Sequence, residues 1–295
     1  MDTFGTDDQC RVVLEELRWP DGIRCPRCTG TTISRIAKRG QFDCDSCRYQ
    51  FSPMAGSVFH DTHLPLRKWF IATFLMCEAK KGMSAAQIQR TLGMSYKTAW
   101  YLCHRIRSAM EEAQPSKLTG VIEADETFLG GKAKNMHKDV RARKITGTGG
   151  KDKVIVFGAM QRGGKIRLRV SANRRKGQIM GFLNDVVADD AEAVYTDELG
   201  SYNEVGDEDT IHASANHNEK EWVRGAVHTN SMENAWSLFD RAVIGSYHQL
   251  SRKHLPAYLQ EFEWRFNGRE NPYLFRDTLT CLVGADALPY KELTG

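Results

Sequence analysis

The chain has 295 residues, 41% hydrophobic and 26% charged, with a formal net charge of +4, a balance that excludes fibrous and broadly disordered classes. No apolar run approaches the roughly 20 residues needed to cross a bilayer, and Met1–Gly5 lacks the basic and apolar regions of a signal peptide. A cytoplasmic protein of two or three domains, with no membrane partner, is expected.

The small net charge hides an uneven distribution. Residues 132–176 carry 15 Lys/Arg against two acids, whereas residues 177–240 carry 14 Asp/Glu against two bases. A basic block beside an acidic one points to a polyanion-binding segment next to an acidic centre. The eight cysteines also divide. Cys25, Cys28, Cys44 and Cys47 form two C-x-x-C pairs, while Cys10, Cys77, Cys103 and Cys281 are single and read as small buried hydrophobes.

In chain order, residues 6–18 read as a short capped helix stopped by Trp19-Pro20-Asp21-Gly22. The two cysteine pairs follow, separated by 15 residues of hairpin-like sequence. That spacing fits a tetrahedral four-cysteine zinc ribbon. The ribbon is poor in apolar residues, so Zn2+ is expected to supply its folding free energy, with Phe42, Tyr49 and Phe51 on its outer face. From Leu66 the apolar period becomes helical. A helix over 66–77, a second opened by Ser84, a Gly93-Met94 turn and a third opened by Ser95 give a helix-turn-helix pattern. In that geometry Ser95, Tyr96, Lys97 and Thr98 read base edges, and Arg105 and Arg107 meet phosphate.

After a linker around Pro115 the pattern turns to strands. Val121–Asp125, Lys153–Met160 and Ile166–Val170 precede a helix over 179–187, a strand over 193–197 and a further strand near 210–212. Helices follow over 230–242 and 254–267. This order is that of an RNase H-like α/β fold. Glu123 and Asp125 share one strand face, and Asp125 and Asp197 would lie side by side on two apolar strands. On the helix from Asn230, Met232, Ala235, Trp236 and Phe239 form the buried face. Glu233 lies at its margin and Asn234 nearly opposite. Carboxylates from strand ends and one helix are what a magnesium site for phosphodiester chemistry needs. Asp125, Asp197 and Glu233 are therefore the candidate catalytic ligands for Mg2+ or Mn2+, the helical phase making Glu233 a better ligand than Asn234. His228, just before the helix, is a candidate donor to phosphate or to a ligand.

These segments resemble bacterial insertion-sequence DDE transposases of the group related to eukaryotic Merlin elements. The resemblance runs from about Cys25 to Asn267. It is carried by the ribbon, the helix-turn-helix, Glu123-Ala124-Asp125-Glu126-Thr127-Phe128-Leu129-Gly130-Gly131-Lys132, Tyr195-Thr196-Asp197-Glu198 and the run from His228 through Ser237. It implies a DNA-binding enzyme with Asp125, Asp197 and Glu233 as its metal triad, and because some relatives place Asn at the third position it keeps Asn234 as the alternative ligand. Such an enzyme binds double-stranded element ends and target DNA as a homodimer or higher oligomer, joining the bacterial nucleoid when bound. Metal-dependent cleavage and strand transfer are the implied reactions. Lys132, at the mouth of the basic stretch, is a further expected DNA contact. Relatives carry Lys or Arg seven residues after the third acid; here that position is Asp240, and Arg241 is the neighbouring substitute. Two other readings remain: a transcription regulator on an inactive scaffold, and an RNase H-like nuclease. The expected domains are 1–60 (helix and ribbon), 61–115 (helix-turn-helix) and 116–295 (catalytic).

Overall fold

A computed structural model describes residues 4–130, 137–139, 153–197, 211–215 and 228–295. Two compact units emerge: Met1–Glu111 with Gly268–Gly295, and Glu112–Asn267.

In the first unit, helix α1 (Asp7–Arg18) begins at Thr6, whose side chain and that of Gln9 form a reciprocal capping box. Strands β1 (Ile33–Ile36), β2 (Gln41–Cys44) and β3 (Gln50–Phe51) make an antiparallel sheet in that order. Phe42 and Phe51, expected on the outer face, are instead the ribbon's core at 1% and 2% exposure. Trp19 closes edge-on against both rings. Helices α2 (Leu66–Glu78), α3 (Ala85–Leu92) and α4 (Tyr96–Arg107) follow. Ser84 and Ser95 cap α3 and α4 as expected, and Gly93 adopts the left-handed conformation that ends α3.

The sequence reading placed everything after 116 in the catalytic domain, but residues 268–295 group with the N-terminal unit. Helix α8 (Leu274–Gly284) presents Phe275 to Phe4, Phe70 and Phe74. The short helix α9 (Tyr290–Thr294) sets Tyr290 against Trp100 and Tyr101 of α4.

The second unit is built on a five-stranded sheet in the order β6-β5-β4-β7-β8. The strands are β4 (Val121–Leu129), β5 (Val154–Gln161), β6 (Ile166–Ser171), β7 (Ala193–Asp197) and β8 (Ile211–Ala215). β4, β5 and β6 are antiparallel, and β4, β7 and β8 are parallel. The two-residue period of the strands sorts the faces. Ile122, Ala124, Phe157, Ala159 and Val194 meet Ile179, Phe182 and Leu183 of α5 (Lys176–Val186) on one side. Val156 and Met160 meet Met232, Trp236 and Phe239 of α6 (Asn230–Ala242) on the other. Helix α7 (Leu255–Asn267) shares that second core. β6 is an edge strand, and α7 blunts its edge: Glu263 Oε2 accepts from the Leu168 amide at 2.9 Å, and Asn267 Oδ1 from the Ile166 amide at 2.8 Å.

Candidate active site and zinc site

The four ribbon thiols converge, with all four Sγ atoms within 4.8 Å of one another. Cys28 and Cys44 are 3.5 Å apart, and Cys25 and Cys47 3.7 Å. Zinc–sulfur bonds of about 2.3 Å at tetrahedral angles require sulfurs about 3.8 Å apart, so the cluster is already the size of a zinc site. Backbone donors favour thiolate here. The Arg27 amide donates to Cys25. The amides of Gly30, Cys47 and Tyr49 draw Cys28, Cys44 and Cys47 respectively toward thiolate, but the neighbouring thiols and burial outweigh this at Cys28, pushed up to about 12, and at Cys47, also raised. The Cys47 amide helps pull the Cys44 thiol down to about 7. The donor set fits Zn2+.

In the second unit, the strand pleat sends alternate residues of β4 to opposite faces. Ile122 and Ala124 enter the α5 core, and Glu123 and Asp125 turn to α6. The parallel register pairs Glu123 with Tyr195 and Ala124 with Thr196. Asp125 and Asp197 are the next residues on their strands, at adjacent backbone positions; the Asp197 side chain lies outside the described residues.

The two carboxylates on β4 differ in burial and in surroundings. Glu123 is fully buried. Its Oε1 accepts from Arg162 Nε at 2.7 Å and Ser231 Oγ at 3.0 Å. Its Oε2 accepts from the amides of Ser231 and Met232 at 2.7 and 3.1 Å. A carboxylate has about four lone-pair sites, so Glu123 is saturated. Asp125 is half-buried and accepts from the Glu126 amide at 2.8 Å and Trp236 Nε1 at 3.1 Å. These contacts orient it.

Helix α6 approaches β5 so closely because residue 158 is glycine. A Cβ there would stand 2.3 Å from Met232 Cε and 2.6 Å from Trp236 Cζ2. Gly158 pairs with Asp125 across the two strands. Glu233 and Asn234 are both exposed. Glu233 precedes Trp236 by three residues, about 60° away around the helix, whereas Asn234 is about 160° away. Thr229 Oγ1 reaches Glu233 Oε1 at 3.5 Å. His228 Nδ1 is 3.1 Å from Arg162 Nη2. The same Nδ1 lies 3.5 Å from Glu123 Oε1. The Arg162 guanidinium also covers the Tyr195 ring at 4.8 Å. Sequence reasoning missed Arg162 and Gly158, and gave Glu123 a face but no role. The signal for Arg162 was a lone base in the Gln161-Arg162-Gly163-Gly164 turn.

The expected DNA contacts separate. Ser95, Tyr96, Lys97 and Thr98 are exposed at the start of α4. Lys97 Nζ sits 4.7 Å from the centre of the Tyr290 ring. Arg105 and Arg107 do not belong with them. They are 5% and 1% exposed. Arg105 donates to the carbonyls of Val58 and His60 and lies over the Trp69 and Tyr101 rings. Arg107 Nη2 faces the Met83 carbonyl at 3.5 Å. Both hold the helical core, so the phosphate-contact reading is corrected. Arg241 is exposed on α6, and Lys132 lies outside the described residues. Among the described residues no helix is long and apolar enough to cross a membrane.

Residues 117–267 match the ISXO2-like transposase domain, and residues 5–50 match a transposase zinc-ribbon domain. The chain is 28% identical over 273 residues to an uncharacterized protein in transposable element ISH50 of Halobacterium salinarum, covering 89% of this chain and 92% of that protein. A chain of the simian T-cell lymphotropic virus intasome, solved by cryoEM in complex with PP2A regulatory subunit B56 gamma, covers 66% of this chain and 67% of its own length. Its identity is 10% and its TM-score 0.31, a likeness too weak to establish a shared fold. With the domain match spanning more than half of the chain and the ribbon match taking in all four cysteines, this protein belongs to the family of ISXO2-like insertion-sequence transposases.

Proposed function

We propose that the chain binds the ends of its insertion sequence and catalyses their cleavage and transfer into target DNA, with Asp125, Asp197 and Glu233 holding the divalent metal on an RNase H-like sheet. The observation that carries this reading is the β4–β7 register, in which Asp125 and Asp197 are the next residues after the pair Ala124–Thr196. Magnesium or manganese held there would polarise the scissile phosphate and make water or a 3′-hydroxyl nucleophilic at neutral pH.

The chain's own groups supply orientation. The Trp236 indole and the Glu126 amide orient the Asp125 carboxylate. His228, held beside Arg162, is a proposed donor to a phosphate oxygen. Ser95, Tyr96, Lys97 and Thr98 offer exposed hydroxyls and one cation to base edges from the second helix of a helix-turn-helix. Arg241 and Lys132 are proposed phosphate contacts. The enzyme would work as a homodimer or higher oligomer on DNA, in the cytoplasm.

The test is a duplex carrying the element's terminal repeat, incubated with the purified chain, a target plasmid and Mg2+. Metal-dependent cutting followed by joining supports the proposal. Binding without cutting would favour a regulator, and cutting without joining a nuclease.

A further inference from the structure

Helix α6 is capped from a distance. Thr229 occupies its N-cap position but makes no side-chain cap bond. The two amides that a local cap would serve, those of Ser231 and Met232, donate to Glu123 Oε2. That acceptor lies on β4, 108 residues before Ser231. Two residues further along β4, Asp125 accepts from Trp236 on the second turn of the same helix.

The helix is therefore fastened to the strand at two points, one on each side of Glu233. The spacings agree: two strand residues advance about 6.8 Å, and the helix advances about 6.8 Å from the Ser231–Met232 midpoint to Trp236. One fastening alone would let the helix swing about it; two set its rotation and its advance along the strand together. Arg162 holds the Glu123 carboxylate from the side, and His228 holds Arg162 through both its ring and its carbonyl.

We propose that Glu123 is a positioning residue for the transposase reaction, setting the register of α6 on β4 so that Glu233 meets Asp125 at the metal. This rests on the reading of Asp125, Asp197 and Glu233 as metal-holding carboxylates. Glu123 itself has no lone pair to give a cation. Its contribution is made through the helix.

The variant Glu123→Asp keeps the charge against Arg162 but is one methylene short of the two amides. The probe is terbium(III), which takes carboxylate oxygens and emits when a nearby indole is excited, with Trp236→Phe defining the signal that comes from this site. Terbium titration of the full chain is read beside strand-cleavage kinetics in Mg2+, at a temperature where circular dichroism shows every variant folded. The expected result for Glu123→Asp is terbium affinity and kcat each lower by about tenfold, with KM for the element-end duplex unchanged. Wild-type terbium affinity overturns the proposal, whether kcat is normal or reduced, because reduced turnover with an intact metal site is a packing defect only. If Glu123→Asp does not fold, Ser231→Ala removes only the hydroxyl bond to Glu123 and should show the same pattern at about threefold; no change there overturns the proposal. Asp125→Asn separates the two levels. It must abolish the Trp236-dependent signal, and a retained signal would overturn the carboxylate reading itself, and Glu123's role with it.

Discussion

Trp236 Nε1 donates to Asp125 Oδ2 at 3.1 Å, tying the helix that carries one proposed ligand to the strand that carries another. Trp236 is 6% exposed, so its indole both fills the core and orients a carboxylate. The variant Trp236→Phe separates these duties, since it keeps an aromatic ring but removes the donor. A hydrogen bond to a charged group contributes about 1.5–3 kcal/mol. The expected outcome is a fall in cleavage kcat of about tenfold or more, with element-end affinity unchanged in a gel-shift titration.

Gly158 should be intolerant of even one added carbon. Gly158→Ala places a Cβ inside contact distance of Met232 and Trp236, and overpacking of this kind costs about 1–3 kcal/mol. Differential scanning calorimetry should show a lower melting temperature. The double variant Gly158→Ala/Met232→Ala should recover part of the loss, a coupling that independent sites would not show.

Removal of zinc should unfold the ribbon and leave the five-stranded unit intact. The ribbon's core is little more than Phe42, Phe51, Ala55 and two of the cysteines themselves, so the metal carries its stability. Hydrogen exchange after chelation, or in Cys44→Ser, should lose protection over residues 20–55 and keep it over β4 and β5. Zinc well below one per chain in freshly purified protein would contradict the assignment.

Lys97 and Arg105 should part company. Lys97→Ala, at the exposed start of α4, should change sequence preference for the element end. Arg105→Met should lower the melting temperature, because it abandons the carbonyls of Val58 and His60 in a buried site. It should leave the salt slope of DNA binding unchanged. Fluorescence anisotropy on specific and random duplexes checks both.

The contrast between these residues shows where sequence reasoning works and where it stops. Period and caps are local, so α1 through α4, the strand order and the buried face of α6 were all legible. Ser84, Ser95 and Gly93 announced their helix ends chemically. Helix α8 was not legible as part of the first unit. Tyr273 gives it no side-chain cap, and its packing against Phe4 and Phe70 joins residues far apart in sequence. Arg105 and Arg107 misled for a related reason: a basic residue near a helix C-terminus reads as surface until the carbonyls it serves are known. At the candidate site, alternation put Glu123 and Asp125 on one face. Their different surroundings depend on donors in a turn and a helix distant in sequence.

The central claim is that three carboxylates act together as the metal site, with Glu233 rather than Asn234 as the third. Its most direct test is Mg2+-dependent cleavage and joining of a terminal-repeat duplex by Asp125→Ala, Asp197→Ala, Glu233→Ala and Asn234→Ala, each scored beside its binding of that duplex. The account predicts that the first three lose cleavage and joining by at least about a thousandfold while still binding, that any pair combined is scarcely worse than one, and that Asn234→Ala loses at most a few-fold. Full activity in Glu233→Ala beside an inactive Asn234→Ala would contradict the helical phase assigned here, and normal cutting and joining by all four would contradict the site altogether.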